Sequence, residues 1–213
     1  MELSKPLSVQ SAAQKISING IPLLWLTFIW LLACFLAFTG LGNLPLRDFD
    51  EATVARVALE LSQSSALEQL LPTIWNVDYL NKPPGLHWLI ALAMKLENHG
   101  GMQLEKLPSE FTVRFVPAFL STLVVPFGGL IQWYLRPKDS TLCLSTAAIL
   151  MTLMPLARHG RLAMLDGAQL SAIALLWLFL VSMDQSRLDK FRSFGAGIAS
   201  SCLLMLKAPM LCQ

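Results

Sequence analysis

Charge is what this sequence has least of: Asp, Glu, Lys and Arg make up 14% of its 213 residues, against about 25% in an ordinary soluble domain. Hydrophobic residues make up 54%, which is a membrane composition. The net charge of +2 is small and scattered, and no basic stripe alternates with aromatics, so nucleic-acid binding is set aside. Cysteine is equally thin. Cys34, Cys143, Cys202 and Cys212 lie in apolar runs without CxxC or Cys/His spacing, and neither a disulfide framework nor a zinc knuckle is predicted.

What is present is a series of long apolar runs. Ile21 to Leu41 carries no charge and meets the requirement of roughly 20 residues for crossing a hydrocarbon core. No clear small-x-small cleavage site follows it, so it reads as an uncleaved anchor rather than a signal peptide. Further runs at Phe111 to Leu135, Thr141 to Ala157, Ala168 to Met183 and Phe194 to Cys212 are each near spanning length. Pro84 to Leu96 is shorter and fits a partly inserted or interfacial helix better.

The predicted fold is therefore an all-α integral membrane protein, a polytopic bundle of about five spans with a large first outer loop holding amphipathic juxtamembrane helices. Lys and Arg in short loops mark the cytoplasmic side. Lys5 and Lys15, Arg136 and Lys138, and the group Arg187, Lys190 and Arg192 all fall inside only if residues 84–96 do not cross. Residues 1–20 then form a cytoplasmic tail and 21–213 the transmembrane module, with 42–110 and the short segment 158–167 as outer loops. The last run ends LLMLKAPMLCQ with no polar flank, so the expectation is the N-terminal part of a longer protein.

The two outer loops hold the polar chemistry. Asp48, Asp50 and Glu51 precede apolar residues at helical spacing, Val54, Val57, Ala58 and Leu61. Acids there suit the positive end of a helix dipole, with Asp48 or Asp50 as N-cap, and they equally suit a base beside a substrate. Lys82 precedes Pro83 and Pro84, whose fixed φ angles stiffen its entry; it is either aimed at one place or snorkels at a helix start. His87 reads as an interfacial histidine or a ligand. Arg158, His159, Arg161 and Asp166 fit an anion site or a helix-end charge belt, with Asp166 as N-cap the plain alternative. Lys207 sits inside an apolar run, where an ionisable group is a functional candidate.

In order along the chain, these residues resemble the GT-C glycosyltransferases that use lipid-linked sugars, the family holding the lipid A aminoarabinose transferase and bacterial relatives of the protein O-mannosyltransferases. The likeness rests on Asp50-Glu51-Ala52, then Lys82-Pro83-Pro84 with Trp88, then Arg114-Phe115-Val116-Pro117, then Arg161 and Asp166, and finally Lys207-Ala208-Pro209. It implies an inverting glycosyltransferase in a bacterial inner membrane, active on the side away from the cytoplasm. The donor would be a polyprenyl-phosphate sugar and the acceptor a lipid, glycan or protein. Asp50 and Glu51 would be the catalytic acids, with Asp50 the base, and Lys82, Arg161 and Lys207 the phosphate-side cations, with Asp166 orienting. The aminoarabinose transferases set a metal-associated acid before the lysine, and here that position is Asn81. No cofactor is firmly expected, a divalent metal is left open, and His87 is the candidate ligand for it. The competing reading is a non-enzymatic membrane subunit or an inactive remnant, in which the acids merely cap helices.

Overall fold

The computed structural model describes residues 22–47, 49–64, 71–99, 108–137, 139–183 and 190–206. Among them are nine helices and one hairpin. Helix α1 spans Leu23–Phe38 and α2 Phe49–Gln63. Strands β1 (Thr73–Ile74) and β2 (Val77–Asp78) precede α3 (Gly85–His99). Then come α4 (Glu110–Thr122), α5 (Val124–Leu135), α6 (Ser140–Thr152), α7 (Met154–His159), α8 (Leu165–Ser182) and α9 (Lys190–Leu206).

Proline decides where the apolar runs break. The run Phe111 to Leu135 reads as one span, and the helical path does continue from Glu110 to Leu135 as an apolar segment of 26 residues. It divides at Leu123 into α4 and α5, because Pro126 has no N–H for the carbonyl of Thr122 and its ring crowds that carbonyl. The run Thr141 to Ala157 is not one span. Helix α6 ends at Thr152 and α7 begins at Met154 with Pro155 in its first turn, where a missing N–H is harmless.

Among the described residues, Glu110–Leu135 and Leu165–Ser182 are long and apolar enough to cross a membrane, while Leu23–Phe38 and Ser140–Thr152 are apolar but shorter. Leu23, Leu24, Trp25, Phe28, Leu31 and Phe35 of α1 are exposed, an apolar girdle of the kind that lipid or further helices cover.

Two apolar cores organise the bundle. One joins α1, α5 and α6 through Leu26, Ala33, Val125, Trp133, Cys143 and Ala147. The other lies beneath the first loop and joins Val54, Val57, Ala58 and Leu61 of α2 to Leu86, Ile90 and Met94 of α3, with Val113, Ala168 and Leu206 from α4, α8 and α9. The amphipathic pattern read for α2 is thus its buried face, turned onto α3. Helix α3 keeps Trp88, Leu89, Leu92 and Leu96 on its exposed side, so it is apolar on two faces.

The cap of α8 differs from expectation, while the cap position of α2 falls on Asp48. Asp50 is the second residue of α2, inside its first turn, and Asp48 lies outside the described residues. Asp166 likewise sits in the first turn of α8, whose N-cap is Met164. Acids at these positions still face the positive helix end.

Candidate functional site

The two adjacent acids at the start of α2 have opposite environments. Glu51 is fully buried. Its Oε1 accepts from Arg114 Nε at 2.7 Å and from the Ala163 amide at 3.0 Å. Its Oε2 accepts from Arg114 Nη2 at 2.9 Å and the Arg47 amide at 3.2 Å. Burial pushes the Glu51 carboxyl up, but the Arg114 side chain and the two backbone amides outweigh it and hold the group below the ordinary value. Arg114 is equally committed. Its remaining N–H groups donate to the carbonyls of Leu41 (3.0 Å), Leu44 (2.6 Å) and Pro45 (3.0 Å), so all five guanidinium donors are used.

This hub joins four pieces of chain: the segment after α1, the start of α2, α4, and the loop before α8. It is why the segment 158–167 lies against Glu51, since Ala163, which donates to that carboxylate, is two residues from Arg161. The same loop is fixed from the other side by Ser121, whose Oγ donates to the Gly160 carbonyl at 2.9 Å. A Cβ on Gly167 would lie 2.7 Å from the Cβ of Ser121, so α8 approaches α4 to within glycine distance there.

Asp50 faces outward and its side chain is 60% exposed; its Oδ1 accepts from Lys82 Nζ at 3.0 Å. Lys82 is therefore brought onto the acidic pair, across 32 residues of sequence. What aims it is the chain on either side. Upstream, the hairpin Thr73–Asp78 turns at Trp75 and Asn76, both at positive φ. Its turn is held by Glu60, which accepts from Thr73 Oγ1 at 2.8 Å and from the Trp75 and Asn76 amides at 2.8 and 3.4 Å. Arg56 pairs with the same carboxylate at 2.8 Å and stacks its guanidinium 4.3 Å from the Trp75 ring centre. Burial raises the Glu60 pKa, but the Thr73 hydroxyl, the turn amides and Arg56 together keep it below the ordinary value.

Downstream of Lys82, His87 is fully buried beneath the two prolines. Its Nδ1 lies 3.3 Å from the Pro83 carbonyl and its ring meets Tyr79 edge-on at 6.0 Å. Burial, reinforced by the nearby Lys82 charge and only partly offset by the Pro83 bond, pushes its pKa down to about 4. Its Nε2 has no hydrogen-bond partner among the described residues. As for metal, no three His, Cys, Asp or Glu side chains converge among the described residues, so the geometry brings His87 no companion ligand there.

Gly85 completes the convergence. A Cβ there would lie 2.6 Å from the Met205 carbonyl, so the end of α9 packs directly on the chain that follows Lys82. Lys207 itself lies outside the described residues. Arg161 donates through Nη2 to the Thr39 carbonyl. It also borders a cavity of about 400 Å³ between α1, α4, α5, α6 and α7, lined otherwise by residues such as Ala33, Leu36, Val125, Met151 and Leu156. Arg158 and His159 end α7 and are exposed.

Sequence reasoning brings Asp50, Lys82, Arg161 and Asp166 forward. It takes Arg114 only as a motif residue and gives Glu60 no part. The available signal for both is a charge at a buried helical position: Arg114 inside an apolar run, and Glu60 on the same face of α2 as Val57 and Leu61.

Two helical segments of membrane length, with a half-exposed acid–lysine pair in one polar segment and an arginine bordering a largely apolar cavity in another, are the features of a helical integral-membrane protein. The family pattern of dolichyl-phosphate-mannose-protein mannosyltransferases matches residues 76–212, and the chain belongs to that family. Its members are membrane glycosyltransferases that draw sugars from polyprenyl phosphates. The matched segment contains Lys82, Arg161, Asp166 and Lys207 and begins after Asp50 and Glu51. No curated protein and no solved structure matches the chain.

Proposed function

We propose that the protein transfers a sugar from a polyprenyl-phosphate donor to an acceptor hydroxyl on the side of the membrane away from the cytoplasm, with inversion at the anomeric carbon. Asp50 is the general base. Its carboxylate takes the acceptor proton while the acceptor oxygen attacks the anomeric carbon. The bond from that carbon to the phosphate oxygen breaks and its electron pair leaves with the phosphate. General-base assistance of this kind contributes about 10²- to 10⁴-fold.

Lys82 and Arg161 face the growing phosphate charge, with Asp166 and Lys207 assigned to the same end of the site. Glu51, adjacent in sequence, is a positioning residue: all four of its hydrogen bonds go to holding the loops. The apolar cavity beside Arg161 takes the first isoprene units of the carrier. The outward placement of the two loops follows from the distribution of lysine and arginine along the chain.

The observation that carries this reading is the division of labour between neighbours, an exposed Asp50 on Lys82 and a saturated Glu51 on Arg114. The test is a transfer assay in membranes with radiolabelled polyprenyl-phosphate sugars. Asp50→Asn should abolish transfer while leaving membrane insertion and unfolding unchanged; retained transfer removes Asp50 as the base.

A further inference from the structure

We infer that Lys82 is handed from Asp50 to the leaving phosphate as the acceptor proton moves, so that the Asp50–Lys82 pair couples the protonation of the base to the hold on the lipid phosphate. The inference rests on the proposed function and deepens it by assigning a charge exchange to two residues of one site.

Three observations carry it. First, the pair is a single contact, Lys82 Nζ to Asp50 Oδ1 at 3.0 Å, with the lysine side chain 29% and the aspartate 60% exposed. It is a half-open pair, able to exchange partners, unlike the buried Glu51–Arg114 pair beside it. Second, both backbones are anchored. Asp50 adjoins the Glu51 hub, and Lys82 leads into Pro83, Pro84 and a Gly85 pressed on Met205. Exchange therefore falls to the flexible lysine side chain rather than to a moving loop. Third, two of the neighbouring cations are already engaged: Arg114 is committed to Glu51 and Arg56 to Glu60.

The charge balance favours one direction. Before transfer, the donor is a phosphodiester with one negative charge, and the Asp50 carboxylate competes with it for the lysine. On transfer the acceptor O–H bond breaks and its proton goes to Asp50, which becomes a neutral acid. The glycosidic bond to phosphate breaks at the same time, and the phosphate departs as a monoester with a second charge to gain. The competitor for Lys82 loses its charge in the step in which the phosphate needs the cation most. Deprotonation of Asp50 afterwards draws the lysine back and loosens the used carrier phosphate.

The Asp50→Asn variant fixes the neutral state of the base and should hold the product more tightly. With farnesyl phosphate as the probe, measured by titration calorimetry on the full chain in detergent at low salt, its affinity should rise about two- to five-fold, the scale of an exposed ion pair. The gain should vanish in a Lys82→Met background. An equal gain with and without Lys82 would mean that Asp50 simply repels the phosphate, and would overturn the handover. So would no gain at all. Both side chains are partly exposed, and matched unfolding curves confirm that the variants fold. The transfer assay on Asp50→Asn reads the base assignment separately: lost transfer without Lys82-dependent coupling sinks the handover alone, and retained transfer sinks both.

Discussion

Glu51 and Arg114, separated by 63 residues, meet in a double hydrogen bond of 2.7 and 2.9 Å with every other donor of the guanidinium also used. A buried pair of this sort is strongly destabilising to break, because the surviving partner is left as an uncompensated buried charge. Glu51→Gln should lower stability by about 3–5 kcal/mol, read as a loss of thermal stability in detergent. Arg114→Lys should also fail to substitute, since an ammonium has three donors where five are needed. Asp50→Asn, one residue away, should leave the unfolding curve in place. Equal destabilisation by the Asp50 and Glu51 variants would contradict the separation of roles.

His87 gives the site a defined acid sensitivity. Its folded-state pKa is depressed to about 4 from an ordinary 6.5, so between those values the unfolded chain binds a proton that the folded chain refuses. Its contribution is fully present above pH 6.5 and is lost as pH falls toward 4, by at most roughly 3 kcal/mol. Glu51 and Glu60, held below 4.5, lose their contribution only at lower pH. Of these three groups, only His87 changes charge between pH 6.5 and 4.5. Melting temperatures of the native protein should fall across that interval, and those of His87→Phe should stay level.

The hairpin before Lys82 stores strain that Glu60 restrains. Trp75 and Asn76 both have positive φ, normal for asparagine but costly for a bulky aromatic residue, on the order of 1–3 kcal/mol. Their amides are held by the Glu60 carboxylate, which also orders Arg56 against the Trp75 ring. Glu60→Ala should raise hydrogen exchange at the Trp75 and Asn76 amides by about ten-fold or more, with peptides around Glu51 and Ala163 unaffected. Unchanged exchange at the turn would show that the strands hold it without Glu60.

The helical class, the two amphipathic helices and the candidate polar residues are legible in the sequence for a physical reason: in an apolar chain each polar residue needs an explanation, so the candidates name themselves. Helix boundaries are less legible, because hydropathy measures a run's greasiness and ignores a proline such as Pro155 that divides it. The difference between Asp50 and Glu51 cannot be read at all. Adjacent helical residues point about 100° apart, and which of them turns inward depends on Arg114, whose arrival is a tertiary event. The same holds for Lys82, whose partner Asp50 comes from the other end of the loop.

Two glycines offer a paired test of the contact between α9 and the segment carrying Lys82. A Cβ on Gly85 would meet the Met205 backbone at 2.6 Å, while one on Gly197 would meet nothing within 4 Å. Gly85→Ala must push α9 away from α3, at a cost of about 1–3 kcal/mol, and should weaken farnesyl phosphate binding as the end of α9 withdraws from Lys82. Gly197→Ala lies in the middle of α9 and should instead stabilise the protein by about 0.5–1 kcal/mol, the difference in helix preference between the two residues, without altering binding. If both substitutions behave alike, α9 does not pack on Gly85, and the end of that helix has no part in the site.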